Sequence, residues 1–397
     1  MQNKILIIGN GFDLYHKLPT RYKDFLFFAN HWKEFKEEYD KYNIPDAGMT
    51  NDMIKVQLGD NNELTLESLK DFAKHADRYS KDHIAYLDEH IQNNDWLNYF
   101  NKITPQGQNW IDFEMEIERA LKQVELFYGD TLTHIDGHLP VKDMPDQMQR
   151  VIFTFSEKAE KLGLGYKNLA KKILHHNDTD SESLKSNKAL LLESMKNELD
   201  ALNMCLNYYL LEFVSVIHSG VYSEQIKDLG NIFLLNFNYI NTYEAVYGKK
   251  ELIQHHPIHG EAKEENLVFG ISDEDFPDTL DYVYFQKYFQ RIQKKTGNFY
   301  KEWPVCPEYS TLEDMPAQVF IMGHSLSKVD KGVLKDFFNE RNVELIKIFY
   351  HSQSGYENQV VNLVDMFGRD FVIDQTGKGR IIFEELRPPV EGKPRLE

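Results

Sequence analysis

The N-terminal segment most constrains the fold of this chain. Ile5 to Ile8 form an uninterrupted apolar run that ends at Gly9-Asn10-Gly11. A short apolar run without polar alternation, followed by glycine, is typical of a central parallel strand buried on both faces. The glycines allow a tight turn close to a ligand, and the amides of a following helix can hold a phosphate. An ordinary strand-to-helix turn has the same pattern, so this segment alone leaves ligand binding and a structural turn as equal alternatives.

The last third of the chain repeats the pattern of an apolar run that ends in glycine or asparagine. We predict strands at 232–235, 267–270, 319–323 and 345–350. Helical stretches lie between some of them, which indicates an α/β protein with a Rossmann-like, doubly wound, mainly parallel sheet. Ligands bind such sheets beyond the carboxyl ends of the strands.

These elements give the predicted domain boundaries. Because the first strand belongs to the same sheet as the last third, the helical region between them is an insertion. Residues 1–19 and 226–387 form the α/β nucleotide-binding core, and residues 20–225 form the large α-helical insertion. The proline-rich residues 388–397 form a disordered tail.

Two helices of the insertion have clear periodicity. Residues 113–127 carry an apolar stripe, with Asp112 and Glu114 near its start, where the helix dipole favours anions. These acids either lie on a solvated face or reach into a site, and the periodicity does not decide between the two. Residues 187–218 form the longest predicted helix, with apolar residues alternately three and four apart. We interpret it as a core helix of an antiparallel bundle rather than as a dimer seam.

Composition argues against several protein classes. The chain has 397 residues and a formal net charge of -18, which disfavours a general nucleic-acid or anionic-membrane binder. Its two cysteines, Cys205 and Cys306, support neither a disulfide framework nor a thiolate zinc site. No stretch approaches the roughly 20 apolar residues of a membrane span. We therefore expect a soluble protein of the reducing cytoplasm.

Polar residues follow several of the apolar runs. They are Asn10 and Asp13, Asn236 and Asn238, His259-Gly260, and His324-Ser325. In a parallel sheet these positions converge on one crevice. Each residue alone also has a structural interpretation, because asparagine often caps a loop and a single histidine is usually structural. Four such ends in one chain favour a site.

Two histidine clusters raise the alternative of a metal site. His255, His256 and His259 are close in sequence, but a strand would direct the first two to opposite faces. A second cluster, without a complete ligand set, consists of His134, Asp136 and His138. We therefore favour a base or a ribose contact for His259 and predict no metal.

The motifs, taken in order, resemble the AbiH family of bacterial abortive-infection proteins. The likeness comprises Gly9-Asn10-Gly11-Phe12-Asp13-Leu14, His16, Leu18-Pro19-Thr20, Tyr22, Trp110-x-Asp112-x-Glu114, Asn236-Phe-Asn238-Tyr239, Glu244, His259-Gly260, Phe269-Gly270, Gly323-His-Ser-Leu326 and Asp330. These motifs span most of the chain, whereas the helical middle carries little of the match. The resemblance implies a role in antiphage defence.

The same series is more distantly similar to the NAD-binding core of sirtuins and sirtuin-like NAD hydrolases. This similarity implies His259 as base on a ribose hydroxyl and Asn238 beside the nicotinamide ribose. Asp13 is our candidate for the carboxylate that stabilises positive charge on the ribose. The residues expected around the dinucleotide are Gly9, Asn10, Gly11, Phe12, Asn236, Gly260, Gly323, His324 and Ser325, with Gly9, Gly11 and Ser325 at the phosphates.

The chain departs from the sirtuin pattern at two points. Sirtuin-like proteins carry an aspartate two residues after the asparagine, where this chain has Ile240, so either Glu244 replaces that carboxylate or the site is inactive. The four-cysteine zinc module of the deacylases is absent.

We expect hydrolysis of NAD, or of a close nucleotide relative, on infection, with no required cofactor. The alternatives are a non-catalytic dinucleotide-binding sensor and a metal-dependent nuclease. A phage-derived trigger and a homo-oligomeric assembly are open expectations.

Overall fold

A six-stranded parallel sheet is the centre of the fold. The computed structural model describes residues 3–43, 53–104, 112–133, 146–159, 181–271, 280–303 and 316–394. Its strands are β1 (Asn3–Ile8), β2 (Val221–Tyr222), β3 (Ile232–Asn236), β4 (Leu252–Pro257), β5 (Ala317–Met322), β6 (Val343–Tyr350), β7 (Ile381–Glu385) and β8 (Val390–Glu391). The sheet order is β4-β3-β1-β5-β6-β7 with every pair parallel, while β2 and β8 pair antiparallel. The prediction of an α/β protein with a mainly parallel sheet is confirmed.

Helices surround the sheet and fill most of the region between β1 and β2. Among the described residues they are α1 (Asn10–Tyr15), α2 (Tyr22–Asn30), α3 (Trp32–Tyr42), α4 (Leu66–Ala73), α5 (Lys81–His90), α6 (Asp95–Ile103), α7 (Phe113–Thr133), α8 (Asp146–Ala159), α9 (Ser181–Tyr208), α10 (Glu224–Lys227), α11 (Thr242–Tyr247), α12 (Lys287–Lys294), α13 (Lys331–Phe338), α14 (Gln353–Phe367) and α15 (Arg369–Gly377). None of these described helices is both long enough and apolar enough to cross a membrane.

Strand β1 is central because its apolar run is buried on both sides. The side chains of Ile5 to Ile8 have no exposed surface. Ile8 is in register with Asn236 of β3 and with Met322 of β5. The loops after these three strands therefore begin at the same edge of the sheet, as the sequence predicts.

The two periodic helices of the helical region pack into one apolar core. α7 buries its predicted stripe at Phe113, Ile117, Leu121 and Val124. α9 packs against α5, α6, α7 and α8, which confirms that it is a core helix of this chain. Its α-helical part ends at Tyr208 instead of near residue 218, because the backbone continues as a π-helical turn over Tyr209–Val214.

The predicted strand at 267–270 is wrong, although the segment is buried. The side-chain amide of Gln290 donates to Phe269 O at 2.9 Å and accepts from Phe269 N at 2.9 Å. Asn203 Nδ2 donates to Leu267 O, also at 2.9 Å. Side-chain amides therefore take the place of a neighbouring strand, and the segment satisfies its backbone without joining the sheet.

The predicted disorder of residues 388–397 is wrong for the part that the structure describes. Val390–Glu391 form β8, which pairs with Val221–Tyr222, and Gly392 N donates to Gly220 O at 2.8 Å. The prolines at 388 and 389 precede the strand, where no backbone donor is required of them. Residues 395–397 lie outside the described residues.

The boundaries of the helical insertion stay a prediction. One hydrophobic cluster contains Phe28, Phe113 and Tyr209 from the predicted insertion and Phe269 and Tyr282 from the predicted core. Apolar packing is therefore continuous across the predicted boundary.

Candidate active site

The loop after β3 is shaped by Asn236. Its Oδ1 accepts a hydrogen bond from Asn238 N at 2.8 Å, and its Nδ2 donates to Ile240 O at 3.1 Å. These bonds close a compact turn in which the side chain of Asn238 lies beside Asp13. Both polar groups of Asn236 thus hold the loop, and its contact with a ligand stays a prediction.

The glycine turn after β1 packs directly against the loop after β5. Gly11 N donates to Gly323 O at 2.8 Å, and Gly9 N donates to Met322 O at 3.2 Å. Gly323 has a φ of +71°, and a Cβ there would lie 2.0 Å from Phe12 N. Close approach of the two loops therefore requires glycine. A phosphate contact at this turn stays a prediction, and groups other than these two bonded amides would have to make it.

Asp13 lies in a buried polar group with Asn238 and Thr242. Burial raises the pKa of Asp13 from 3.8 to about 7, and the nearby side chains of Thr242 and Asn238 oppose this rise. Asp13 Oδ1, Asn238 Nδ2 and Thr242 Oγ1 have no aligned hydrogen-bond partner among the described residues. Thr242 and Asn238 are nevertheless within hydrogen-bonding reach of the Asp13 carboxylate, so the three side chains are one another's partners, and a ligand contact at this group stays a prediction.

His259 and His324 converge on Asp330. His259 Nε2 lies 3.2 Å from Asp330 Oδ1, and His324 Nε2 lies 3.4 Å from Asp330 Oδ2. Phe237 meets both imidazoles edge-on, at centroid distances of 5.5 and 4.4 Å. Leu326 N donates to His324 Nδ1 at 2.9 Å, so the neutral ring carries its proton on Nε2, facing the carboxylate. The Asp330 carboxylate is therefore placed to orient both rings.

A buried lysine connects this group to the helical region. Lys287 Nζ lies 2.9 Å from Glu114 Oε2 on α7 and 3.8 Å from Asp330 Oδ1. The Lys287 side chain is 2% exposed, and those of Glu114 and Asp330 are 14% and 12% exposed. Ionised groups are buried in proteins at a high cost unless they are paired, and here one ammonium serves two carboxylates.

Helix α12, which carries Lys287, has its polar side facing inward. Lys287 and Gln290 are buried, whereas Tyr288 and Ile292 are 40% and 72% exposed. This arrangement reverses the usual pattern, in which a surface helix buries its apolar face. The contacts that attach this helix are therefore largely polar at the positions nearest the site.

Burial and charge set the protonation states in this group. Burial raises the pKa of Glu114 to about 7, although Lys287 opposes the rise. Burial also favours a neutral Asp330, but Lys287 and His259 hold its pKa well below the usual range. Burial lowers the pKa of His259 to about 3, helped by Lys287 and opposed by Asp330. Near neutral pH, His259 is therefore a neutral imidazole beside an ionised Asp330.

Three predicted ligand contacts have local roles in the fold. Asn10 is exposed, and its Oδ1 accepts a hydrogen bond from Thr20 Oγ1 at 2.5 Å. Ser325 is exposed, and its carbonyl accepts a side-chain hydrogen bond at 2.8 Å. Gly260 has a φ of +76°, and a Cβ there would lie 2.2 Å from a carbonyl oxygen. Contacts of these residues with a ligand stay predictions.

The other histidines of the predicted clusters lie apart from this group. In β4, His255 Nδ1 lies 3.8 Å from Glu261 Oε1, whereas the His256 ring packs against Tyr300 at a centroid distance of 5.4 Å. Among the described residues, no group of three His, Cys, Asp or Glu side chains could hold a metal ion. The predicted cluster of His134, Asp136 and His138 lies outside the described residues.

Sequence reasoning missed Lys287 and Thr242 and gave Asp330 no role. No local sequence pattern marks Lys287, because the amphipathic pattern of α12 does not reveal that its polar face is the buried one. Thr242 follows Asn241, whose side chain accepts from Glu244 N and so begins α11. An Asn-Thr pair shortly after a buried strand is a signal that could have located it.

Comparison with known proteins gives one match. The family described as bacteriophage abortive infection AbiH matches residues 5–351, a range that includes every residue of the group from Asp13 to Asp330. Comparison with curated proteins and with solved structures gives no significant match. The chain therefore belongs to the AbiH family of bacteriophage abortive-infection proteins, and its role lies in antiphage defence.

Proposed function

We propose that the protein acts in this defence by hydrolysing the nicotinamide–ribose bond of NAD or of a close nucleotide relative. The observation that carries the proposal is the buried group of acid and base side chains at the carboxyl edge of the sheet, beside β1. The strand order changes direction at β1, which is where doubly wound sheets bind dinucleotides.

The reaction needs a stabilised ribose cation and an activated water. As the C1′–N bond breaks, its electron pair moves to the nicotinamide nitrogen, and positive charge develops on the ribose. The Asp13 carboxylate would stabilise that charge, while Asn238 would position the water that attacks C1′. The water adds its oxygen to C1′ and releases one proton, giving ADP-ribose and neutral nicotinamide.

His259 is the candidate base in this scheme. Its imidazole is neutral near neutral pH, but burial holds its pKa at about 3, so it is a weak base in the closed site. Opening of the site would reduce this burial and raise the pKa, and the ring would then accept a proton from a ribose hydroxyl or from the attacking water. Asp330, at 3.2 Å, would orient the ring and stabilise the imidazolium that forms. Lys287 would in turn keep Asp330 ionised, as a positioning residue.

The structure also supports a resting state of low activity. His259 and Asp13 are 5% and 1% exposed, so a substrate can reach them only after the site opens. An enzyme that destroys NAD must be inactive until infection, which a closed site would achieve.

A non-catalytic nucleotide sensor is the second candidate. The observation in its favour is Ile240, which is 7% exposed at a position where sirtuin-like hydrolases carry an aspartate. The sensor predicts measurable dinucleotide affinity without turnover.

Nicotinamide release tests the proposal. The purified protein is incubated with NAD, and bacteria that produce it are infected with phage; nicotinamide is then measured by chromatography in both. We expect release by the wild type, in the tube or after infection, and at least about a hundredfold less from His259→Ala and Asn238→Ala. His256→Ala is the matched control, because His256 is a buried histidine of β4 outside the group, and it should retain activity. No release in either setting would refute hydrolysis, and retained NAD binding would then favour the sensor.

A further inference from the structure

Arg291 is a half-buried cation of α12 that has no partner among the described residues. It lies one turn after Lys287, so both side chains leave the same side of the helix. Glu114 and Asp330 meet the Lys287 ammonium at 2.9 and 3.8 Å. Arg291 forms neither an ion pair nor a hydrogen bond in the described part of the chain, and its Nε is buried and unpartnered. One positive charge on this side of α12 is therefore unbalanced.

Electrostatic effects place this charge near the candidate base. Burial and Lys287 lower the pKa of His259, and Arg291 is near enough to lower it further. Burial also opposes the raised pKa of Lys287, and so does Arg291. The neighbours of Arg291 thus include a neutral imidazole and a second cation. Burying an ionised group costs free energy unless it is paired, so the position of Arg291 favours an anionic ligand.

A guanidinium selects its ligand by geometry and by charge. It offers five N–H donors in one plane and no acceptor, so it pairs with phosphate or carboxylate oxygens and not with metal cations. The chain has 63 acidic and 45 basic residues, yet no carboxylate of the described residues pairs with Arg291. The proposed substrate carries a matching group, because the ribose that would meet His259 bears a phosphate on its 5′ oxygen.

We infer that Arg291 binds the phosphate attached to the reacting ribose. The identity of this ligand rests on the proposed function. The contact supplies a charge that the other expected phosphate contacts lack, since Gly9, Gly11 and Ser325 have uncharged side chains. The preferred substrate is then a nucleotide with a 5′-phosphate, and the corresponding nucleoside binds poorly.

Two ligands that differ by this phosphate provide the test. Nicotinamide mononucleotide carries the phosphate and nicotinamide riboside lacks it, and titration calorimetry measures the affinity of both. Every protein in the titration also carries Asn238→Ala, so that the ligands are not consumed. Arg291→Met is the test variant. Lys295→Met is the matched control, because it removes the same charge from an exposed residue just beyond the same helix.

We expect Arg291→Met to weaken binding of the mononucleotide at least about tenfold, because a hydrogen-bonded charge pair is lost. Its affinity for the riboside should not change. Lys295→Met should leave the affinity for both ligands within about twofold of the protein that carries both cations, since an exposed charge is screened.

Urea unfolding without ligand checks whether Arg291 is paired within the chain. Methionine keeps an apolar stem and removes the charge. We expect the midpoint of Arg291→Met to equal or exceed that of the wild type, in contrast to Lys287→Met one turn earlier, because no ion pair is broken. A midpoint as low as that of Lys287→Met would show that the chain itself pairs with Arg291, and it would overturn the inference.

The outcomes separate this inference from the proposed function. Unchanged mononucleotide affinity in Arg291→Met, or equal weakening in Lys295→Met, would overturn the phosphate contact, and hydrolysis by the wild type would still stand. Phosphate-dependent binding that is lost in Arg291→Met, with no hydrolysis by the wild type, would support the contact and refute the hydrolase. Absence of mononucleotide binding by the protein that carries Arg291 would overturn the contact directly.

Discussion

Replacement of Lys287 by methionine tests whether the buried charges hold the site together. With an effective dielectric constant of about 20, Coulomb's law gives roughly 6 kcal/mol of attraction for the 2.9 Å contact with Glu114 and roughly 4 kcal/mol for the 3.8 Å contact with Asp330. Several kcal/mol of this are offset by the cost of removing the ammonium from water. Lys287→Met leaves the Asp330 carboxylate buried without its cation. We expect the free energy of unfolding to fall by about 3–5 kcal/mol.

The size of this loss depends on pH through Glu114. Because burial raises its pKa to about 7, the folded protein holds a proton on Glu114 in a range where the unfolded chain has released it. At about pH 8 Glu114 is ionised beside Lys287, and the substitution removes both attractions. At about pH 5.5 Glu114 is already neutral, so only the attraction to Asp330 is lost. The loss of stability should be larger at the higher pH.

Urea unfolding followed by tryptophan fluorescence measures the effect. With a slope of about 3 kcal/mol per molar, we expect the midpoint of Lys287→Met to fall by about 1 M or more at the higher pH. Lys301→Met is the matched control, since Lys301 Nζ lies 3.3 Å from Asp336 Oδ2 but its side chain is 37% exposed. Exposed pairs contribute less than about 1 kcal/mol. Equal shifts for the two variants, or the same shift at both pH values, would refute the argument.

Three further predictions concern the glycine contact and two titrating groups. Gly323→Ala should lower the free energy of unfolding by more than about 2 kcal/mol, because its Cβ would lie 2.0 Å from a backbone nitrogen. Gly332→Ala is the control and should cause no such loss, because nothing lies within 4 Å of the added Cβ. The two variants are compared by their midpoints of urea unfolding. Burial lowers the pKa of His16 to about 4, whereas in the unfolded chain it is about 6.5. As the pH falls from about 6.5 to about 4, the unfolded chain takes up a proton that the folded protein does not, and the free energy of unfolding falls by roughly 3 kcal/mol. His16→Gln should reduce this loss in urea unfolding at two pH values; an unchanged loss would contradict it. If hydrolysis requires the Asp13 carboxylate, kcat/KM for NAD should rise about tenfold per pH unit below pH 7 and become constant above it. Glu114→Gln should keep this profile, although the pKa of Glu114 is also about 7. A wild-type profile that does not change with pH would contradict the role of Asp13.

The sequence predicts the central strands and not the edge strands, for a physical reason. β1, β3 and β5 are buried on both faces, so each is a continuous apolar run. β4 and β7 lie at the two edges of the sheet, and the segments Leu252–Pro257 and Ile381–Glu385 carry histidine, glutamine and glutamate. An edge strand needs no continuous apolar run, so a search for such runs does not find β4 or β7. The segment at 267–270 is the opposite case: its apolar run predicts a strand, but the segment is buried without pairing with a neighbouring strand.

The sequence likewise predicts some residues of the candidate site and not others. Asp13, Asn238, His259 and His324 lie just beyond the first, third, fourth and fifth strands, so position in the sequence predicts that they converge. Lys287 comes from a helix that does not follow a sheet strand directly. Its approach to the site depends on the packing of α12 against the rest of the chain, which no local pattern encodes.

The inverted polarity of α12 has a consequence for how the protein holds and releases protons. The buried side of α12 brings Lys287 to 2.9 Å from Glu114, and this ammonium opposes the rise in the Glu114 pKa that burial causes. The pKa of Glu114 is still about 7 in the folded protein, above its ordinary value of 4.5, so folding takes up a proton at this position between those two values. The stability that comes from the protonated side chain is therefore lost as the pH rises through about 7. The contact between α7 and α12 thus makes the stability of the fold depend on pH.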